Sequence, residues 1–408
     1  MHPHVFGHHS FRLADATCYQ YDISKAQMSG CEYFGVLHKA TTSQDVSTGA
    51  GATTAEKVHT AALFSITVAQ KEPPTLTRGQ RNQPASIVNI SPRVITRTQN
   101  DDGSTTYNLL LITDMDAHSR AEEWKWRAIS RKAKLTLSAN KKEIKLDWIE
   151  GSDVNLTTGF NFKGRGMELS DLSEFNGHLI SPDDKTGLLY EIKKDKAIPW
   201  VFLNSGPGNT TKGMKAEWLT IKDNLLYAGG HGTEYLNSRG EVANDDAMWI
   251  KTITKTGKVT SHYWKNVYNT IRNTAQFPAP GYLTHEAVQW SKAREMWYFL
   301  PRKASKTPFV EEEDETKGTN LLIMGPEDLE SVDVVYIGNR TVEHPERGFS
   351  AFDFIPDTED ELILAIKSKE VTGSEPESFI TVFNVHGKVL MEDQQIAGNY
   401  KFEAVYFV

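Results

Sequence analysis

Gly166-Met-Glu-Leu-Ser170 and Gly213-Met-Lys-Ala-Glu217 share one design. Each starts with Gly-Met and arrives at an oxygen-bearing side chain. Each then runs into a β-strand pattern, Ser170-Asp-Leu-Ser-Glu-Phe in one and Glu217-Trp-Leu-Thr-Ile in the other. Three later segments repeat the arrival: Glu286-Ala-Val-Gln-Trp, Ser350-Ala-Phe-Asp-Phe and Glu403-Ala-Val-Tyr-Phe. The intervals are 47 (170 to 217), 69 (217 to 286), 64 (286 to 350) and 53 (350 to 403) residues. Repeats of this order, with several strands in each, mark propeller blades around a central channel. The expected fold is all-β, a five-bladed β-propeller with a central calcium site. One residue at the same place in every blade forms a ring. Ser170, Glu217, Glu286, Ser350 and Glu403 offer only oxygen, which suits a hard cation such as Ca²⁺. A lone Glu there would read as a strand-end residue facing solvent. Five in step read as ligands, because crowded carboxylates repel unless a cation or protons neutralise them.

The rest of the chain supports repeated hairpins. Val94-Ile-Thr-Arg-Thr-Gln, the turn Asn100-Asp-Asp-Gly103 and Tyr107-Asn-Leu-Leu-Leu-Ile-Thr113 form one. Lys134-Leu-Thr-Leu-Ser and Ile144-Lys-Leu-Asp-Trp form another, as do His178-Leu-Ile and Leu188-Leu-Tyr-Glu-Ile. Helical periodicity is scarce, and Ser119 to Lys132 is the best candidate. The last repeat begins only six residues before the end, so strands near 86–115 must complete its blade. The ring then closes by joining the two ends of the domain. Residues 1–85 differ. They hold His-rich Met1-His-Pro-His and His8-His9, a Thr/Ser/Gly/Ala stretch from 41 to 54, and Pro73-Pro74. They read as a largely disordered extension or stem before a propeller domain at 86–408.

The 408 residues carry a formal net charge of −8, and no Lys/Arg block interleaves with aromatics. A nucleic-acid strand is therefore excluded as the expected partner. No segment has the length and apolarity of a transmembrane helix. Ala61-Ala-Leu-Phe-Ser-Ile-Thr-Val-Ala69 reads either as a short secretory core or as an ordinary apolar patch. Only Cys18 and Cys31 are present, so the fold cannot depend on disulfides. Sequons at Asn89, Asn155, Asn209 and Asn339 permit glycosylation in a secretory compartment.

Further chemistry gathers near the same strand ends. Asp114-Met-Asp116 follows an apolar strand, Asp171 follows Ser170, and Asp183-Asp184 sits in a Gly-terminated turn. Carboxylates beside a channel cation can orient or deprotonate water. Asp183-Asp184 also fits plain turn chemistry. Arg302 and Lys303 follow an aromatic strand and could grip phosphate or form a solvated pair. Trp218 could stack on a base or pack between blades. Glu311-Glu-Glu-Asp-Glu315 reads as a solvated charge run. GxSxG, P-loop, HExxH and EF-hand patterns are absent.

At these residues the chain resembles the calcium-activated nucleotidases, the soluble apyrase family. The matching strings include Ile112-Thr-Asp-Met-Asp116, Gly164-Arg-Gly-Met-Glu-Leu-Ser-Asp-Leu172, Asp183-Asp-Lys-Thr-Gly187 and Lys212-Gly-Met-Lys-Ala-Glu-Trp-Leu219. Pro280-Gly-Tyr-Leu-Thr-His-Glu286, Phe299-Leu-Pro-Arg-Lys-Ala-Ser305, Gly348-Phe-Ser350 and Tyr400-Lys-Phe-Glu403 follow in order. The resemblance implies a five-bladed propeller that hydrolyses nucleoside di- and triphosphates to monophosphate and phosphate with Ca²⁺. It places calcium ligands on Ser170, Glu217, Glu286, Ser350 and Glu403. It places catalytic or substrate-contacting groups on Asp114, Asp171, Asp184 and Arg302, and Asp116 and Trp218 match by motif. With Lys303, read above as a phosphate grip, these two are the expected substrate-binding residues. It also implies a secreted or lumenal protein able to form a homodimer. Pro182, His231 and the stretch from Asn339 to Arg347 depart from the family pattern. The other class of function open here is a Ca²⁺-dependent nucleotide-binding propeller without turnover.

Overall fold

The turn at Asn100–Gly103 sets the first hairpin. Asp102 Oδ1 accepts hydrogen bonds from the Ser104 amide (2.9 Å) and hydroxyl (2.6 Å), and Gly103 takes a φ of 81°. A short polar side chain and a glycine together turn the chain without strain. The computed structural model describes residues 89–408 apart from Ser238. The extension at 1–85, its histidines, the 61–69 stretch and both cysteines lie outside those residues.

Strand Thr105–Asp114 pairs antiparallel with Lys125–Leu137 on one side and with Lys401–Phe407 on the other. The partners include Leu109 with Phe407 and Ile112 with Ala404, so the end of the chain joins its early strands as expected. Ile144–Trp148 extends this run beyond Lys125–Leu137. A second antiparallel run follows, made of Ser173–Phe175, His178–Pro182, Leu188–Lys193 and Lys196–Phe202. Val154–Thr158 bridges the two runs into one eleven-stranded sheet.

Three separate four-stranded antiparallel sheets and a two-stranded pair, Tyr235–Leu236 with Val242–Asn244, complete the sheets of the described residues. The first holds Trp218–Lys222, Leu225–Gly229, Trp249–Ile253 and Val259–Tyr263. The second holds Tyr282–Ser291, Met296–Ser305, Leu321–Gly325 and Asp333–Tyr336. The third holds Arg347–Phe354, Leu362–Lys369, Glu377–Asn384 and Val389–Ile396.

The helix expected over Ser119–Lys132 is a strand instead. A short 3₁₀ turn at Asp116–Ser119 leads into Arg120–Glu122 and then into Lys125–Leu137. Ala133, Leu135 and Leu137 are buried while Lys134 is exposed, which is the two-residue alternation of a sheet. A helix forms at Lys265–Thr274, where Tyr268, Ile271 and Arg272 fall on one buried face.

The core is divided rather than continuous. One apolar cluster joins Ile112, Ala128 and Ala404 to Leu169, Leu172 and Tyr190. A second joins Phe175 and Leu189 to Leu219, Leu226 and Ile253. A third joins Trp218 and Ile250 to Val288, Trp297 and Ile323. A fourth joins Ala287 and Leu300 to Phe349, Phe352 and Ile363. The last joins Leu364, Ile380 and Val382 to Leu109, Leu111 and Val405. Each cluster therefore lies between one run of strands and the next, and the fifth returns to the first run. Polar ties cross several of these seams. Asp171 Oδ2 accepts from the Leu219 amide (2.6 Å), Thr220 Oγ1 accepts from the Trp290 amide (2.9 Å), and Asp353 Oδ2 accepts from the Phe407 amide (3.0 Å).

Candidate metal and phosphate centre

Three of the five proposed ring positions share a backbone feature that the sequence does not display. Glu286 has no partner opposite it, because His285 pairs with Pro301 and Ala287 with the adjacent Leu300. Ser350 sits the same way between Phe349 and Ala351, and Glu403 between Phe402 and Ala404. Each is the extra residue of a β-bulge, which re-aims a side chain next to a site. Glu217 immediately precedes its hairpin, and Ser170 lies three residues before Ser173, where its hairpin starts. The Glu217 amide donates to Gly229 O (2.7 Å), and the Ser170 amide donates to Pro182 O (3.2 Å).

Glu217, Glu286 and Glu403 are all buried and are strung together by cations. His231 Nε2 lies 3.0 Å from Glu217 Oε1 and 2.9 Å from Glu286 Oε1. Arg302 Nη1 contacts Glu286 Oε2 and lies 2.7 Å from Glu403 Oε1, while Nη2 contacts Glu370. Lys215 contacts Glu217 and Asp184. Ser350 Oγ donates to Phe402 O (3.0 Å). Ser170 Oγ is buried and has no hydrogen-bond partner. An orphaned buried hydroxyl calls for an explanation, and a cation it could help ligate supplies one.

A second tier lies two residues ahead of each ring position: Glu168, Lys215, Thr284, Gly348 and Lys401. Lys401 Nζ lies 2.8 Å from Asp114, 2.7 Å from Asp116, 3.3 Å from Glu370 and 3.5 Å from Glu403. Arg165 pairs with Glu168 and lies 2.9 Å from Asp116. Gly348 is where Arg302 passes. A Cβ at 348 would strike the Arg302 side chain and stand 2.9 Å from its carbonyl oxygen. Gly348→Ala is therefore expected to displace Arg302 and lower turnover about tenfold or more, with a melting temperature shift of only a few degrees. Parallel activity and melting measurements test this.

The acidic pair in the turn divides its work. Asp183 Oδ1 accepts from the Lys185 (3.0 Å) and Thr186 (3.2 Å) amides, and its Oδ2 accepts from the Met167 amide (2.9 Å). Asp183 thus holds the turn. Asp184 reaches Lys215 with Oδ2, and its Oδ1 is buried without a partner. Asp114, Glu168 and Asp184 come together, with ligand atoms within 4.8 Å of one another.

Burial pushes the Asp114 carboxyl up to about 6 against the pull of Lys401, with Asp116 and Asp184 adding to the rise. Burial likewise pushes Glu168 up to about 7, opposed by Arg165 and helped by Asp114 and Asp184. Asp184 is raised by burial in the same direction. For Glu217 burial pushes upward, but Lys215 and His231 outweigh it and hold the carboxylate well below its usual range. A centre this acidic and this buried favours a bound cation.

Three sequence-derived candidates stand apart from these clusters. Asp171 gives both carboxylate oxygens to backbone amides, those of Leu172 (2.7 Å) and Leu219 (2.6 Å). Trp218 is fully buried, donates from Nε1 to Gly230 O (3.1 Å) and packs beside Trp264, so stacking on a base is replaced by packing between sheets. Lys303 Nζ donates to Asp314 O (2.9 Å) and Glu315 O (3.1 Å), tying down the acidic segment that the sequence left in solvent. The sequence reading missed Glu168, Lys215, His231, Glu370 and Lys401. Glu168 and Lys215 each lie inside a repeated string, and Lys401 inside Tyr400-Lys-Phe-Glu403, all two residues before the repeated Ser or Glu.

An all-β scaffold that gathers carboxylates and cations at bulged strand ends belongs to the class of proteins built to hold a cation beside anionic groups. The particular family is the apyrase family, to which this chain belongs: the family model described as Apyrase matches residues 114–408. The chain is 43% identical over 307 residues to apyrase apy-1 of Caenorhabditis elegans, covering 75% of this chain and 86% of that protein. It is 41% identical over 311 residues to soluble calcium-activated nucleotidase 1 of Mus musculus, covering 76% of each. It is 38% identical over 295 residues to an apyrase of Cimex lectularius, covering 72% of this chain and 80% of that protein.

Proposed function

We propose that the chain hydrolyses the phosphoanhydride bond of nucleoside di- and triphosphates in a Ca²⁺-dependent reaction, releasing phosphate and leaving a monophosphate. The single observation that carries this reading is the string of buried carboxylates, Glu217, Glu286 and Glu403, linked through His231 and Arg302; the orphaned Ser170 hydroxyl adds to it. The donors are oxygens, as Ca²⁺ requires. The scaffold reading is a five-bladed propeller. Its support is the cycle of five apolar seams, in which the fifth returns to the first run of strands. Ser170, Glu217, Glu286, Ser350 and Glu403 are the residues that would hold Ca²⁺ at its axis.

When bound, Ca²⁺ supplies positive charge against the negative charge that develops on the transferred phosphoryl group. Asp114 or Asp184 takes a proton from the attacking water. The water oxygen bonds to the terminal phosphorus, and the bond from that phosphorus to the bridging oxygen breaks. A carboxylate raised to about 6 suits this role, since a general base works best near the ambient pH. Arg302 and Lys401 hold the ring and tier carboxylates in place and present cations to the phosphates. Asp171 positions the Glu217 strand by fixing the Leu219 amide. The same reading places the protein in a secretory compartment or outside the cell, supported by the exposure of Asn89, Asn155, Asn209 and Asn339. Among the described residues no helix is long and apolar enough to cross a membrane.

Phosphate release from ADP, UDP, GDP, ATP and AMP, each with Ca²⁺, with Mg²⁺ and with a chelator, tests the function. The expected result is release from di- and triphosphates with Ca²⁺ and none from AMP. Release from AMP, or equal release in chelator, would overturn the reading.

Titration adds a second expectation. Asp114, Glu168 and Asp184 are raised above their unfolded values near 4, so their stabilising contribution is present below pH about 4. For Asp114 and Glu168 it is lost as the pH climbs through about 6 to 7, and for Asp184 it falls in the same direction. His231, pushed down by burial but raised more strongly by Glu217 to about 9, loses its contribution as the pH rises toward 9. Ion-free protein therefore weakens between pH 5 and 9. Ca²⁺ is expected to raise the melting temperature more at pH 8 than at pH 5.5, which calorimetry at both pH values checks.

A further inference from the structure

We propose that His231 turns the centre into a site for borderline divalent cations of the Zn²⁺ class, which compete there with Ca²⁺. This rests on the reading that Glu217 and Glu286 hold a cation. His231 Nε2 is 3.0 Å from Glu217 Oε1 and 2.9 Å from Glu286 Oε1. The nitrogen and one carboxylate oxygen of each Glu lie within 4.8 Å of one another, close enough to share one ion. Tetrahedral ligands about 2.1 Å from an ion stand about 3.4 Å apart, so the ion enters as the His231 hydrogen bonds open slightly and Nε2 gives up its proton. A larger, harder ion prefers oxygen throughout. An imidazole nitrogen instead favours Zn²⁺, Co²⁺ and Ni²⁺.

The loop that carries His231 is held in place. The His231 carbonyl accepts from the His285 amide at 3.0 Å. Gly230 allows no side chain, because a Cβ there would lie 2.6 Å from Lys215 O. Gly232 takes a φ of 73° against the face of Tyr268. The ring nitrogen is thus a preorganised ligand rather than a mobile one. Arg302 uses the other oxygen of Glu286, Oε2, which leaves Oε1 on the His231 side. Lys215 shares Oε1 of Glu217 and is the one competitor at these atoms.

The test uses the full chain stripped of metal by chelation. Ca²⁺ and Zn²⁺ affinities are measured by calorimetry, and Co²⁺ is added as a spectroscopic probe of nitrogen ligation. His231→Leu and His231→Asn are compared with the wild type, so that one poorly folded variant does not decide the outcome. The expected result is a Zn²⁺-to-Ca²⁺ affinity ratio that falls about tenfold or more in both variants, with loss of the nitrogen-ligated Co²⁺ spectrum. An unchanged ratio with Ca²⁺ still bound would overturn the role of His231 alone. A wild-type chain that binds neither ion would overturn this proposal and the Ca²⁺ centre together.

Discussion

Glu217→Gln is expected to lower Ca²⁺-dependent phosphate release by about 10³-fold, the scale on which a single preorganised electrostatic contact at the reacting charge acts. The substitution keeps the size of the side chain and removes one negative charge. Glu217 is 1% exposed, so no solvent compensates. Its carboxylate stays ionised in spite of burial because Lys215 and His231 both face Oε1. A Gln amide keeps a carbonyl for one of them but presents two N–H donors to a centre that needs acceptors. Lys215 then has only Asp184 to balance it. Turnover at saturating Ca²⁺, with circular dichroism to confirm folding, measures the effect. Full Ca²⁺-dependent turnover in Glu217→Gln would mean that the ring does not hold the ion.

Lys401→Met should have the largest effect on stability. Lys401 is buried and faces Asp114, Asp116, Glu370 and Glu403. Methionine fills much of the same space and removes the charge. Breaking a buried ion pair from one side costs about 3–5 kcal/mol, because the partner charge stays buried and uncompensated. Asp116 keeps Arg165, but Asp114 loses its main counter-charge. Its carboxyl, pushed by burial to about 6 with Lys401 present, rises further without it. The sign follows directly: the acid limb of the pH–rate profile moves to higher pH, and protein at neutral pH unfolds at lower denaturant. Denaturant melts and a pH–rate series measure both. Unchanged stability would show that Lys401 is not the counter-charge of this cluster.

The five proposed ligands stand out in the sequence because their chemistry repeats. Five segments carry Ser or Glu at one place; Glu286, Ser350 and Glu403 lie at bulges, Glu217 directly before a strand and Ser170 three residues before one. The bulges themselves were not legible, since nothing in Glu286-Ala-Val or Ser350-Ala-Phe distinguishes an unpaired residue from a paired one. Asp183 and Asp184 are identical side chains, and only hydrogen bonding separates the turn-former from the site acid. The second tier could have been read from its constant offset of two residues before each repeated Ser or Glu. It was hidden because a search for ligands passes over Lys215 and Lys401, which serve the site by neutralising it. His231 and Glu370 come from strand ends distant in sequence, and only strand pairing brings them in. The stretch Ser119–Lys132 misled because its charges, Glu122, Glu123 and Lys125, suit a helix surface locally. Sheet pairing on both sides of Lys125–Leu137 overrode that preference.

The most direct measurement is the number of Ca²⁺ ions bound per chain and the turnover of a nucleoside diphosphate across one Ca²⁺ titration. One ion is expected at the ring, with phosphate release rising in step with its occupancy and vanishing when a chelator removes it. Phosphate release that persists without Ca²⁺, or Ca²⁺ binding that leaves turnover unchanged, would contradict the role of the ion.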